Sequence, residues 1–150
     1  MKKRLYTLCF MSAVYLAMLL PASLIFAADF ALVANKDVPF NAVSKTDAKA
    51  IFLGNKTRWD DGKPIRIAIL EGGGASRTFL ERVINKTPSQ FELHWKKLLF
   101  TGKAVSPKTF DDALNLLQFV AGTSGAVGFV GAEEAESSVK KISIKQESSK

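Results

Sequence analysis

The residues best suited to chemistry in this chain form the run Glu71-Gly72-Gly73-Gly74-Ala75-Ser76-Arg77. Three consecutive glycines let backbone N–H groups converge, and a helix starting there adds roughly half a positive charge. Such a loop can cradle a small anion, with Ser76 and Arg77 as side-chain donors. The spacing is neither that of a P-loop, since no Gly-Lys-Ser/Thr follows, nor a complete G-x-G-x-x-G. The same glycines also serve a plain tight connection between strand and helix, and Glu71 at the loop mouth opposes an anion. On this stretch alone both readings stand.

Other reactive side chains are sparse. His94 is the single histidine; it lies beside an apolar helical stripe and reads as a surface residue. Without a second histidine there is neither a metal cluster nor a choice of base for a triad. Ser76 and Ser124 sit outside any G-x-S-x-G elbow. Asp60-Asp61-Gly62 and Glu133, Glu134 and Glu136 read as solvated turns. The sequence therefore points to a non-enzyme with no cofactor and no metal. Trp95 belongs to a core stripe, whereas Trp59, in a polar loop, fits either a cap on the sheet edge or a stacking position in a cleft.

The chain has 150 residues, a net charge of +7 and one cysteine, Cys9. Lys2, Lys3 and Arg4 precede an apolar run from Leu5 to Leu20, and Pro21-Ala22-Ser23 leads to Ala27. This is the pattern of a signal peptide over residues 1–27, cleaved near Ala27, which predicts a periplasmic or secreted protein. A single membrane anchor is the alternative, because the run approaches spanning length. Cys9 lies early in the apolar run and is no lipoprotein site. The remaining cations are dispersed, with no basic stripe interleaved with aromatics, so no nucleic-acid partner is expected.

The elements that must position the loop follow from periodicity. Ile65, Ile67 and Ile69 alternate with Arg66, Ala68 and Leu70, a β pattern. Phe79, Leu80, Val83 and Ile84 mark one face of the helix after the loop, which Ser76 is placed to cap. Phe30–Val33 and Ala126–Val130 read as strands, with Gly125 and Gly128 permitting close backbone approach, and Val139–Ile144 as a last strand. Ser44-Lys45-Thr46-Asp47 opens a helix presenting Ala48, Ile51 and Phe52 and ending at Gly54. Thr87-Pro88-Ser89-Gln90 opens another that carries Phe91, Trp95, Leu98 and Leu99. A further helix is expected over about 110–121, with Phe110, Ala113, Leu114, Leu117 and Val120 inward. A short acidic helix or turn follows Gly131. Residues 28–144 thus form one α/β domain with helices on both faces of a small sheet, and residues 145–150 a flexible tail.

Several signatures now line up. Ile51-Phe52-Leu53-Gly54-Asn55-Lys56, then Trp59-Asp60-Asp61-Gly62, resembles the "IFLGK…W.DG" segment of the phosphate-binding proteins that serve ABC transporters. Thr123-Ser124-Gly125-Ala126-Val127-Gly128-Phe129-Val130 is similar to their "xPGAIGYV" strand. Glu71-Gly72-Gly73-Gly74-Ala75, with Thr78-Phe79, stands where that family has its "DGSGT…F" phosphate loop. The resemblance covers Phe30 to Ile144 and implies a three-layer α/β/α fold, a single lobe of a periplasmic-binding-protein-like structure.

That resemblance also implies a solute-binding role, with phosphate or a similar small anion held at Gly72, Gly73, Gly74, Ala75, Ser76 and Arg77 for ABC-type transport or sensing. Full members close two lobes over the ligand, and this chain resembles the second lobe alone. The family's loop serine falls on Gly73, its threonine on Ala75 and its arginine on Ile69, while Gly74 keeps its place. Each hydroxyl donor to a buried oxyanion contributes about 1.5–3 kcal/mol, so these losses weaken binding; Ser76 and Arg77 are the candidates to compensate. The other function of this fold is an envelope interaction module that has lost the ligand. Expected partners are accordingly a small anion, a transporter permease or an envelope protein, and a second copy that rebuilds the missing wall.

Overall fold

The computed structural model describes residues 30–102 and 104–145. The expected signal peptide and residues 146–150 lie outside the described residues. Among the described residues, six strands form one mixed sheet: β1 (Ala31–Ala34), β2 (Ala42–Ser44), β3 (Arg66–Leu70), β4 (Lys108–Phe110), β5 (Ala126–Val130) and β6 (Lys140–Lys145). Their spatial order is β2-β6-β1-β5-β3-β4. β3 runs parallel to β4 and β5, and β1 runs antiparallel to both β5 and β6.

Helices α1 (Lys45–Phe52), α2 (Gly73–Phe79), α3 (Pro88–Phe100) and α4 (Ala113–Gly122) complete the fold. α2 runs on without a break as a π-helical turn over Leu80–Ile84, closed by Asn85 in the left-handed region at φ 57°. α1, α2 and α3 cover one face of the sheet and α4 the other, which gives the expected three layers. On the first face Phe79 stacks on Phe129 of β5 with centroids 4.2 Å apart, and Phe52 of α1 meets Phe79 edge-on at 4.8 Å. All three are fully buried. On the second face Gly128 earns its place: a Cβ there would meet Leu116 and Ala68 at 3.0–3.1 Å, so glycine lets α4 lie against the strand.

Local sequence explains most boundaries. Ser44 caps α1 by accepting from the Asp47 N–H at 2.9 Å. Thr87 and Gln90 form a reciprocal capping box with Pro88 at the first helical position. Gly54, at φ 75°, ends the α1 segment and leaves room for the Trp95 ring. Both tryptophans are core residues whose indole N–H is satisfied: Trp59 donates to the Gly125 carbonyl at 2.9 Å and Trp95 to the Phe52 carbonyl at 3.1 Å. Trp59 is thus packed under Phe40, and no stacking surface is left open in a cleft.

Three expectations change, and one open alternative is resolved. The expected helix from Phe110 begins only at Ala113, because Asp112 adopts an extended conformation and caps it, accepting from the Asn115 N–H at 2.9 Å. Phe110 belongs instead to β4, and the inward face is Leu116, Leu117 and Val120, with Leu114 58% exposed. The stretch after Gly131 is a turn, tied by a Glu134 carboxylate that accepts from the Gly131 N–H at 2.7 Å. β6 extends to Lys145, one residue into the expected tail. Ser76 does not cap its helix, as described below.

One carboxylate fastens three loops. Asp37, between β1 and β2, accepts from the Ser124 hydroxyl and from the Gly125 N–H at 3.1 Å, and pairs with Lys63 at 3.4 Å. The Ser124 hydrogen bond, ahead of the Gly125 N–H and the Lys63 charge, holds its carboxyl below the ordinary 3.8. Two residues earlier, Asn35 Nδ2 donates to the Val120 and Ala121 carbonyls, both at 2.9 Å, satisfying the end of α4.

Candidate functional site

The parallel strands β3, β4 and β5 end on the same side, and their carboxyl ends open on one groove. In sheets of this kind that edge is where ligands bind. The groove has a volume of about 860 Å³ and is lined by the glycine loop, by Asp111 and Asp112 after β4, and by the Gly131–Glu134 turn after β5. Two helix N-termini meet there, those of α2 and α4. They differ in one respect: α4 is capped by Asp112, while α2 has Gly72 at its cap position and no side-chain cap at all.

The chain reaches that arrangement through two left-handed residues. Gly72 has φ 73° and Gly73 φ 75°, conformations in which any side chain would be strained. They turn the backbone from β3 straight into the helix, which therefore starts three residues earlier than Ser76. A Cβ added at Gly72, Gly73 or Gly74 would meet nothing within 4 Å, so these glycines are not packing against the rest of the protein. No side chain caps the first N–H groups of α2, and the loop that carries them lines the open groove, an arrangement open to a backbone anion cup.

The six residues singled out in the sequence are divided by this geometry. Gly72, Gly73, Gly74 and Ala75 line the groove together. Ser76 is 5% exposed, one turn inside α2, and lines a separate groove of about 480 Å³ with Leu80, Phe91 and Trp95. Arg77 is exposed and lines neither groove. The side-chain donors expected to compensate for the lost hydroxyls are thus turned away by the helical period. Thr78 lies back on the groove side.

Sequence reading foresaw the acid at the loop mouth but not its company. Glu71, Asp111, Asp112, Glu133 and Glu134 all line the groove, and no lysine or arginine does among the described residues. Two of these acids are engaged locally: Glu134 with Gly131, and Asp112 with Asn115, whose N–H and side chain hold the Asp112 carboxyl below its ordinary value. The signal for the cluster lay in the positions of the acids at the carboxyl ends of neighbouring strands, which only the sheet order reveals. No cluster of three or more metal-ligating side chains occurs among the described residues. His94, expected at the surface, is half-buried and donates from Nε2 to the Leu53 carbonyl at 2.9 Å, which ties α3 to the end of α1.

The sheet order, the helices on both faces and the loop at the strand ends define a single lobe of a periplasmic-binding-protein-like fold. No protein-family model matches the chain, and no curated protein matches it in sequence. Solved structures do. An ABC-type phosphate transport receptor from Vibrio cholerae superposes with a TM-score of 0.59 at 17% identity, over 81% of this chain and 47% of that one. A substrate-binding protein assigned to a phosphate ABC transporter of Clostridium perfringens, with phosphate bound, gives 0.59 at 20% identity over 79% and 44%. PstS from Borrelia burgdorferi gives 0.56 at 10% identity over 77% and 47%. The chain spans less than half the length of each of these proteins. It therefore shares the fold of one part of them.

Proposed function

We propose that this chain is an exported, non-enzymatic solute-binding domain that holds phosphate or a similar small anion at the backbone N–H groups of Gly72 to Ala75. The observation that carries the reading is the uncapped N-terminus of α2, which faces a groove at the carboxyl ends of three parallel strands. The structural likeness to phosphate receptors supports it, as does the leader-like N-terminus of the sequence. With Ser76 and Arg77 off the groove, the donors are the backbone groups, with the Thr78 hydroxyl on the groove wall beside them. Two or three charge-assisted hydrogen bonds, opposed by the surrounding carboxylates, correspond to a Kd of about 1 mM.

The test is a phosphate titration of the purified protein followed by amide NMR shifts, with sulfate as control. Saturable shifts at residues 72–75 are expected. Gly74→Pro removes one N–H at a helix position that needs no intrahelical acceptor, and it should weaken binding about tenfold. Unmoved loop amides at phosphate concentrations roughly ten times that Kd would defeat the reading.

A second reading rests on the five carboxylates. A groove lined by acids and no base is poor for an anion and suits an envelope protein with a basic surface, a transporter permease among them, for which the lobe fold is a scaffold. The same charges oppose pairing of two copies through this face, since five acids would meet five. A null phosphate titration together with specific capture of a basic envelope partner is the outcome that favours this reading.

A further inference from the structure

At the opposite end of β3 lies a groove of contrary character. It has a volume of about 500 Å³, lies between the loop after α1, the amino ends of β3 and β4 and the end of α4, and is lined by Lys56, Arg58, Arg66 and Lys108. No acidic side chain lines it among the described residues. Its walls are otherwise mostly apolar, Ile67, Phe119 and the 81% exposed Val105 among them, with the hydroxyl residues Thr57, Ser106 and Thr123 between. The backbone places the four cations. The Ile65 N–H bonds to the Thr57 carbonyl at 2.9 Å, and Arg58 bridges to Pro64, which draws the loop alongside β3. Lys108 pairs in register with Ala68, two residues along from Arg66. In a parallel ladder that puts Arg66 and Lys108 on one face of the sheet.

The cations are not equally committed. Lys56 pairs with Asp60 at 3.0 Å and Asp47 at 3.6 Å, and Arg58 Nη1 donates to the Gly62 carbonyl. Arg66 and Lys108 are exposed, and among the described residues neither has an ion pair. We infer that this groove is a second ligand site, independent of the glycine loop, that takes an organic anion: an apolar body of small-molecule size bearing a carboxylate, sulfonate or phosphate ester. The volume lies in the range of small-molecule sites, and apolar walls with a few placed charges are their usual lining. A bare inorganic anion would satisfy the cations and leave the apolar walls wet. An uncharged apolar molecule would leave the cations unused.

The test compares two fluorescent probes, anilinonaphthalenesulfonate and its uncharged parent phenylnaphthylamine, on the purified protein. Trp95 lines the groove, so bound probe also quenches tryptophan emission. The sulfonate should bind at one saturable site, at least about tenfold tighter than the neutral probe. It should move amides at residues 65–67 and 104–108. The Arg66→Gln, Lys108→Gln double variant changes two exposed side chains; it should lose about tenfold in sulfonate affinity, with neutral-probe binding and melting temperature unchanged. Arg66→Lys should restore most of the loss relative to Arg66→Gln. Equal affinity for the two probes, indifference to the double variant, or shifts confined to the exposed Leu93 and Phe100 of α3 would each overturn the inference. Failure here is separate from failure at the glycine loop, which is read from amides 72–75.

Discussion

Replacing Asp37 should uncouple three loops at once, and the size of the effect can be worked from its contacts. The carboxylate accepts hydrogen bonds from Ser124 Oγ and the Gly125 N–H, and both are charge-assisted. With the side chain 31% exposed, each contributes near the low end of the usual range, about 1.5 kcal/mol. The Lys63 pair at 3.4 Å is half open to solvent and adds roughly 0.5 kcal/mol. Asp37→Ala should therefore cost about 3 kcal/mol. Asp37→Asn keeps an acceptor for Gly125 and should cost about half as much. In a domain of this size 1 kcal/mol moves the melting temperature by about 4 °C.

The pH dependence has a definite sign. The folded-state carboxyl titrates below its ordinary 3.8, so its contribution is fully present above that value and disappears as pH falls through the lowered pKa. Thermal melts of wild type and Asp37→Asn should differ most near pH 7, and the gap should narrow as pH falls below 3.8, closing only once the lowered pKa is passed. Identical melting temperatures at pH 7, or curves that stay parallel as pH falls below 3.8, would refute the role assigned to this residue.

Two further substitutions probe the packing around the same loops and the core. Gly125 sits at φ 70°, and a Cβ there would press into the Pro64 carbonyl oxygen, so Gly125→Ala should cost about 3 kcal/mol or more in urea unfolding; a near-neutral result would mean that the Pro64 segment yields freely. Phe79→Ala empties the centre of the aromatic cluster and should cost about 3–5 kcal/mol, measured the same way; a loss under about 1 kcal/mol would show that Phe52 and Phe129 close the gap.

Elements with long apolar alternation or a good cap were legible in the sequence: β3, β5, α1 and α3 fall within a residue or two of expectation. β2 and β4 were not, since three residues are too few to show a period of two. Missing β4 moved the start of α4, because Phe110 reads equally well as a first helical residue until Asp112 is seen to cap. The glycine loop was legible as a strand-to-helix turn, but its helix start was not. Serine is the better cap by composition, and only the positive φ of Gly72 and Gly73 shows that glycines took that place. The acidic lining depended on which strands lie side by side, which no local pattern encodes.

The place of β1 in the sheet bears on how the chain reaches its fold. Leu32 pairs with Phe129 on one side and Ile142 on the other, so the first strand among the described residues is a central one whose neighbours are the last two of them. Contacts so distant in sequence carry a large loop-closure entropy and slow folding. A chain extruded N-terminus first, from a ribosome or through a membrane pore, has a middle strand that waits for residues 126–145 to emerge. β3 and β4 can pair before that, but the centre of the sheet, which joins β1 to β5 and β6, closes only late.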